Sequence, residues 1–154
     1  MTCDKLKKFL DENGIEYITI THSQAFTSQK IAASAHIKGR NLAKTVIIKI
    51  KNQFAMAVLP ANNYVNFNLL KEITGFEDVI LANESEFKEL FPDCELGAMP
   101  PFGNLYGMKV YVSDQLSEQK EIAFNGGDHA ELIQMKYKDF EKLVKPEILK
   151  FALS

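Results

Sequence analysis

Hydrophobic and polar positions follow two periods along this chain, and the switches between them divide it into short elements. Leu6, Phe9 and Leu10 recur at helical spacing and Gly14 ends the run, which predicts an amphipathic helix over about residues 3–12. Residues 16–20 are rich in β-formers and predict a short strand leading to His22. Thr27 reads as the N-cap of a second helix carrying Ile31, Ala32 and Ala35 and stopped at Gly39; its small residues predict close packing on a sheet. The clearest strand is Lys44-Thr45-Val46-Ile47-Ile48-Lys49-Ile50, with Val46, Ile48 and Ile50 on one face. Asn52-Gln53 is expected to turn it into a second strand over residues 54–59 that Pro60 terminates.

Asn62, Asn63, Asn66 and Asn68 form a polar loop feeding a helix through Leu69, Leu70 and Ile73, capped at Gly75. Residues 79–82 predict a strand. Asn83 with Glu86 has capping-box spacing, and Phe87, Leu90 and Phe91 are expected to line the apolar face of the helix before Pro92 stops it. Strands are predicted at residues 108–112, 122–124 and 131–135, and a helix at 137–144 with Phe140, Leu143 and Val144 inward. Short strands interleaved with short helices make a mixed α/β or α+β domain with a substantially antiparallel sheet. At 154 residues the chain is one domain in this reading, with no internal repeat or linker.

Charge adds a feature that periodicity does not show. The formal net charge is −2, yet no Asp or Glu occurs between Glu16 and Glu72, a window that holds Lys30, Lys38, Arg40, Lys44, Lys49, Lys51 and Lys71. Even spacing of the 20 acids would put about seven in that window, so a positive face toward an anionic partner is expected. Solvated lysines that never converge in space fit the same run. The acidic balance argues against tight non-specific nucleic-acid binding. The first residues lack the basic-then-apolar layout of a signal peptide and no apolar run approaches a membrane span, so a cytoplasmic protein is expected, monomeric by default. Cys3 and Cys94 are too far apart in sequence for a metal knuckle and read as plain thiols.

The chain has no P-loop, Rossmann fingerprint or Gly-x-Ser-x-Gly elbow. His22, His36 and His129 lack metal-ligand spacing, and no metal or cofactor is expected. Attention falls instead on Gly97-Ala98-Met99-Pro100-Pro101-Phe102-Gly103, where two glycines bracket two prolines and nothing ionises. Glycine lets a ligand approach the backbone and proline stiffens it, so the segment works either as a main-chain binding rim or as a stiff crossover turn. Asn125-Gly126-Gly127-Asp128-His129 is a turn suited to placing one imidazole at a loop–strand junction.

The ordered set His22, Thr27, Lys44-Thr45-Val46, Gly97 to Gly103, and Asn125 to His129 with Ile133 and Met135 resembles the YbaK and prolyl-tRNA synthetase editing-domain family, from about Phe9 to Val144. The resemblance implies a curved, mixed, largely antiparallel sheet flanked by short helices. It implies hydrolysis of the ester joining a wrong amino acid to tRNA, usually tRNA for proline and a small residue such as alanine or cysteine. The partners it implies are the acceptor end of a mischarged tRNA and a cognate synthetase. Lys44 matches the lysine that engages the acceptor end, with Thr45 beside it. Gly97, Ala98 and Gly103 match the backbone that handles the aminoacyl group and the attacking water, with Met99, Pro100, Pro101 and Phe102 as substrate-lining positions. His129 belongs to the wall of that site with Gly127 and Asp128, and His22 and Thr27 to its entrance.

Many relatives have a single proline preceded by Ser or Thr where this chain has Pro100-Pro101, so a donor is lost and the loop is stiffer. An aminoacyl ester is already activated, so a positioned water and a stabilised oxyanion supply the rate, with help from the substrate's ribose hydroxyl. Selection would be steric, at about 1–3 kcal/mol per methylene in an apolar pocket. Met56, Met99 and Met108 fit either that pocket or the core. Two other readings share the fold and the basic window: a non-catalytic module for tRNA or an aminoacyl ligand, and a docking domain for an acidic protein.

Overall fold

The computed structural model describes residues 4–21 and 37–153 of the chain. Helix α1 (Asp4–Glu12) precedes strand β1 (Tyr17–Thr21). Strands β2 (Ala43–Ile50), β3 (Gln53–Pro60) and β4 (Tyr64–Val65) then lead to helix α2 (Phe67–Thr74) and strand β5 (Val79–Leu81). One helical turn, α3 (Glu84–Phe87), opens the long connection to β6 (Lys109–Ser113). The rest is α4 (Asp114–Ser117), β7 (Glu121–Asn125), β8 (Glu131–Lys136), α5 (Tyr137–Val144), β9 (Glu147–Leu149) and β10 (Ala152–Leu153).

Five strands form the main sheet in the order β5-β2-β3-β6-β9, antiparallel through β5, β2 and β3 and parallel from β3 to β9. A second, antiparallel sheet runs β1-β8-β7, and β10 pairs with β4 in a short ribbon. A single parallel bridge, Leu42 to Ala123, joins the two larger sheets, and the Ala123 N–H donates to the Asn41 carbonyl at 2.9 Å. The mixed, largely antiparallel class expected from the sequence is therefore present.

The main sheet is buried on both faces, which explains why residues 55–59 of β3 read as a continuous apolar run rather than an alternating one. On one face Ile47, Met56 and Val58 pack with Leu6 and Leu10 of α1 and with Phe102, Phe124 and Phe140. On the other, Ile48, Ile50 and Leu59 pack with Leu70 of α2, Val79 and Phe151. The alternation expected of Val46, Ile48 and Ile50 holds, since all three belong to this second layer.

Several local expectations shift. The hairpin turn is Lys51-Asn52, not Asn52-Gln53: both residues have positive φ, 52° and 64°, and Gln53 already pairs with Ile50. A two-residue hairpin of this hand needs positive φ at both central positions, which asparagine tolerates. Leu90 lies exposed rather than on the apolar face, and the chain over Lys88–Leu90 is a 3₁₀ turn rather than a continuation of the α-helix. Phe91, not Leu90, packs against Phe87, with ring centroids 6.2 Å apart. The capping box is present, with Glu86 Oε1 accepting from the Asn83 N–H at 2.9 Å. The helix expected after Thr27 lies outside the described residues.

Tyr137 begins α5 almost completely buried, and among the described residues its hydroxyl has no hydrogen-bond partner. Burial and, secondarily, Glu141 push its pKa from 10.0 up to about 12. The folded state thus keeps a proton that the unfolded chain releases, so this group's contribution to stability is full below pH 10.0 and lost as the pH rises toward 12. Tyr137→Phe is expected to leave neutral-pH stability unchanged or raise it by about 1 kcal/mol, and to weaken the alkaline decline. Urea unfolding of both proteins on either side of that pH tests this; a marked loss at neutral pH would reveal a hidden partner.

Candidate active site

The turn after β7 is built to grip another segment. Gly126 closes it by donating to the Glu131 carbonyl at 3.1 Å, and Asp128 Oδ1 accepts from the N–H groups of Ala130 and Glu131, both at 2.9 Å. Gly127, at φ 112°, then uses both of its main-chain groups outward. Its carbonyl accepts from Glu95 N–H at 2.7 Å and its N–H donates to Ala98 O at 3.0 Å. His129 Nε2 lies 2.8 Å from the Leu96 carbonyl, a contact that requires the proton on that nitrogen. Glu95 Oε2 stands 3.9 Å from the same nitrogen. The sequence motifs at 97–103 and 125–129 are thus one structural unit.

Gly97 is the exposed point of that unit. Its φ of 86° suits glycine, and an added Cβ would lie 3.3 Å from His129 Cε1, so the imidazole rests against its Cα. Its N–H donates to Met99 Sδ at 3.2 Å. Thioether sulfur is a weak acceptor, so a ligand oxygen would displace this bond at small cost.

Beyond Gly97 the segment turns inward, which corrects the expectation that its side chains line a pocket. Ala98, Pro100 and Pro101 are buried, and Met99 is only 5 % exposed. Phe102 is fully buried, with Phe124 and Phe140 rings 5.5 and 5.3 Å away. Gly103 is glycine for packing: an added Cβ would meet Met108 O and Val110 Cγ2 at 2.6 Å. Met56 and Met108 join the same core layer. Asp128 is likewise a turn residue, buried beneath the N–H groups it holds.

Lys44 reaches this region through the bridge between the sheets. The bridge is parallel, so the chain leaves Leu42 toward Lys44 in the same direction as it leaves Ala123 toward Asn125. Strand alternation puts Lys44 on the Val46 face, and its Nζ sits over the Tyr64 ring, 5.4 Å from the centroid. Thr45, half-buried opposite Val58, shares the Ala43 and Ile47 face toward which the 97–103 segment packs. Lys44 and that segment therefore flank the start of β2 from its two faces, and among the described residues no hydrogen bond joins them. Burial lowers the Lys44 pKa below 10.5, and among the described residues no carboxylate pairs with it. Lys49, by contrast, is held by Glu86 at 2.7 Å, and Lys51 lies over Phe76. The acid-free window is therefore not one positive face. His22 and Thr27 lie outside the described residues.

Two residues without a sequence-assigned role stand at this junction. Asn125 Oδ1 is buried with no partner among the described residues, and Tyr64 is 68 % exposed beside the Lys44 ammonium. Neither orphaned acceptors nor contacts across a short ribbon leave a periodic trace in sequence.

The half-buried Lys44 and the Gly97 rim with His129 against it are the groups that the sequence motifs singled out and the described residues contain. The chain belongs to the aminoacyl-tRNA editing domain family, whose model matches residues 22–143. Domains of this class hydrolyse the ester of aminoacyl-tRNA. A protein of Escherichia coli strain K12, the multifunctional Ser/Thr-tRNA deacylase ProXp-y, is 30% identical over 159 residues, covering 98% of this chain and 93% of its own. The fold matches the crystal structure of hypothetical protein APE2540, with TM-score 0.86, 20% identity and coverage of 97% and 100%. It also matches a crystal structure described as a candidate trans-editing enzyme for prolyl-tRNA synthetase, with TM-score 0.83, 15% identity and coverage of 99% and 97%.

Gly103→Ala tests the division between rim and core. It is expected to cost about 1–3 kcal/mol of stability, as overpacking does. Chemical denaturation measures the loss, and an unchanged midpoint would place Gly103 outside the core.

Proposed function

We propose that this protein removes, in trans, a small amino acid wrongly esterified to tRNA, with the nucleotide end held at Lys44 and the aminoacyl end at Gly97 and His129. The observation that carries the proposal is Lys44 itself: a desolvated cation with no carboxylate partner among the described residues, at the junction that also holds the glycine rim. A half-buried ammonium with no carboxylate beside it has lost part of its hydration, and an incoming phosphate or ribose oxygen compensates for that.

In this reading the substrate straddles the start of β2. The Gly97 N–H exchanges its thioether for the carbonyl oxygen of the ester, where negative charge develops as water attacks. Asn125 Oδ1 accepts from the substrate's α-ammonium, and the ribose hydroxyl assists the water. The imidazole of His129 closes one side and is kept in place by Leu96 O. Alanine or cysteine on tRNA for proline is the substrate that the sequence resemblance suggests. The name of the Escherichia coli relative adds serine and threonine to the candidates. All four share small size, the property a stiff Pro100-Pro101 backbone selects by shape.

Ester loss from Ala-, Cys-, Ser- and Thr-charged tRNAs tests the activity directly, and binding without turnover across that set would favour a non-catalytic module. Lys44→Ala is expected to lower kcat/KM by about 10–100-fold, the worth of a charged hydrogen bond, while preserving the fold. Wild-type turnover in that variant would remove Lys44 from the mechanism. Affinity for uncharged tRNA should fall as the pH rises through the lowered Lys44 pKa, below the usual 10.5, since only the ammonium attracts phosphate. Lys44→Arg stays charged and is expected to flatten that decline; parallel slopes in both proteins would contradict the assignment.

A further inference from the structure

The residues beside Lys44 add a second recognition element. Tyr64 pairs with Leu153 across the β4–β10 ribbon and is 68 % exposed, an unusual placement for a large ring with an ammonium 5.4 Å from its centroid. A hollow of about 400 Å³ opens next to it, lined by Tyr64, Val65, Asn66, Phe67, Asn68 and Leu153. No carboxylate is among these residues. Leu153 is itself 49 % exposed, so the ribbon presents an apolar edge.

Each half of this arrangement has a chemical complement. An uncompensated ammonium takes an anion, and an exposed aromatic face with a flat apolar border takes a planar ring. A nucleotide carries both, and stacking of unpaired bases on aromatic side chains is how single-stranded nucleic acid is held. The volume lies within the range of small-ligand sites. The two carboxamides on the lining, Asn66 and Asn68, offer donors and acceptors to base edges.

We infer that Tyr64 and this hollow form a subsite for the unpaired 3′-terminal nucleotide of RNA, the base against the Tyr64 ring and its phosphate at Lys44. The inference rests on the proposed deacylase reading for the identity of the RNA. It adds a positioning residue on the opposite side of β2 from Gly97 and His129. The terminal nucleotide then lies on one face of the strand and its ester crosses to the other.

Two measurements test it separately from the activity. In equilibrium binding, wild-type protein is expected to prefer uncharged tRNA with its terminal adenosine over the same tRNA lacking it, and Tyr64→Ala to lose that preference. A stacked base is worth about tenfold in affinity, which sets the size of the effect. In steady-state deacylation, Tyr64→Ala is expected to raise KM about tenfold with kcat nearly unchanged, and Tyr64→Phe to behave as wild type. Equal binding of both tRNAs by wild-type protein, or equal impairment of the Phe and Ala variants, would overturn the subsite. The binding result stands or falls even if no charged tRNA is hydrolysed. Adenosine 5′-monophosphate, titrated in parallel, is expected to compete only at millimolar concentration; tight binding of the free nucleotide would overturn the RNA terminus as ligand.

Discussion

The parallel bridge from Leu42 to Ala123 is the constraint on which the rest of this structure depends. It registers Lys44, near the start of one sheet's strand, against Asn125, at the end of a strand of the other, and the core shared by Ile47, Phe124 and Ile133 packs the two sheets together. Leu42 and Ala123 are buried together with Leu132 and Ala61, so the bridge is backed by apolar packing as well as by the bond from Ala123 N–H to Asn41 O. Functional groups placed at such a seam inherit the rigidity of two sheets, which is what a site acting through main-chain groups requires.

The segment from Gly97 to Gly103 shows how one short stretch serves both stability and chemistry. Its second half is core: Phe102 fills the centre of an aromatic cluster, and Gly103 lets the chain pass against Val110 without room for a methyl group. Of its first half only Gly97 is surface, held between the Glu95 and Ala98 bonds to Gly127 and bordered by His129. The anchor makes the rim stiff. A rim free to relax would surrender in reorganisation much of the transition-state stabilisation that fixed donors provide.

Much of this was legible in the sequence because local chemistry determines it. The β2–β3 hairpin, the capping box at Asn83 and the inward position of Phe140 follow from period and spacing, and the motifs at 97–103 and 125–129 mark two segments that the fold joins by hydrogen bonds. What was not legible depends on distant pairing. Phe102 between glycines reads equally well as a pocket wall or a core residue, and only the rings of Phe124 and Phe140 decide it. Tyr64 meets Lys44 because the turn after β3, the strand that pairs with Lys44, carries it there, a contact that two isolated residues do not announce. The exposure of Leu90 was not legible either, because the helical period read from Phe87 to Phe91 breaks after one α-turn.

The placement of Lys44 on one face of β2 and of the glycine rim on the other has a consequence for selectivity. A site gathered in one pocket must recognise nucleotide and amino acid with the same walls, so any change that widens it for one loosens it for the other. In the proposed reading the two recognitions are divided by the start of β2, which pairs with β3 at Lys44 and is bridged to β7 at Leu42. The cation contributes affinity that is the same for every aminoacyl group on a given tRNA. It cannot by itself discriminate among them, since uniform binding shifts all substrates alike. Discrimination then falls to the rim alone, where each methylene is worth only about 1–3 kcal/mol. A backbone held by Gly127 and stiffened by two prolines is suited to extract the full steric difference, because it cannot yield to admit a larger side chain.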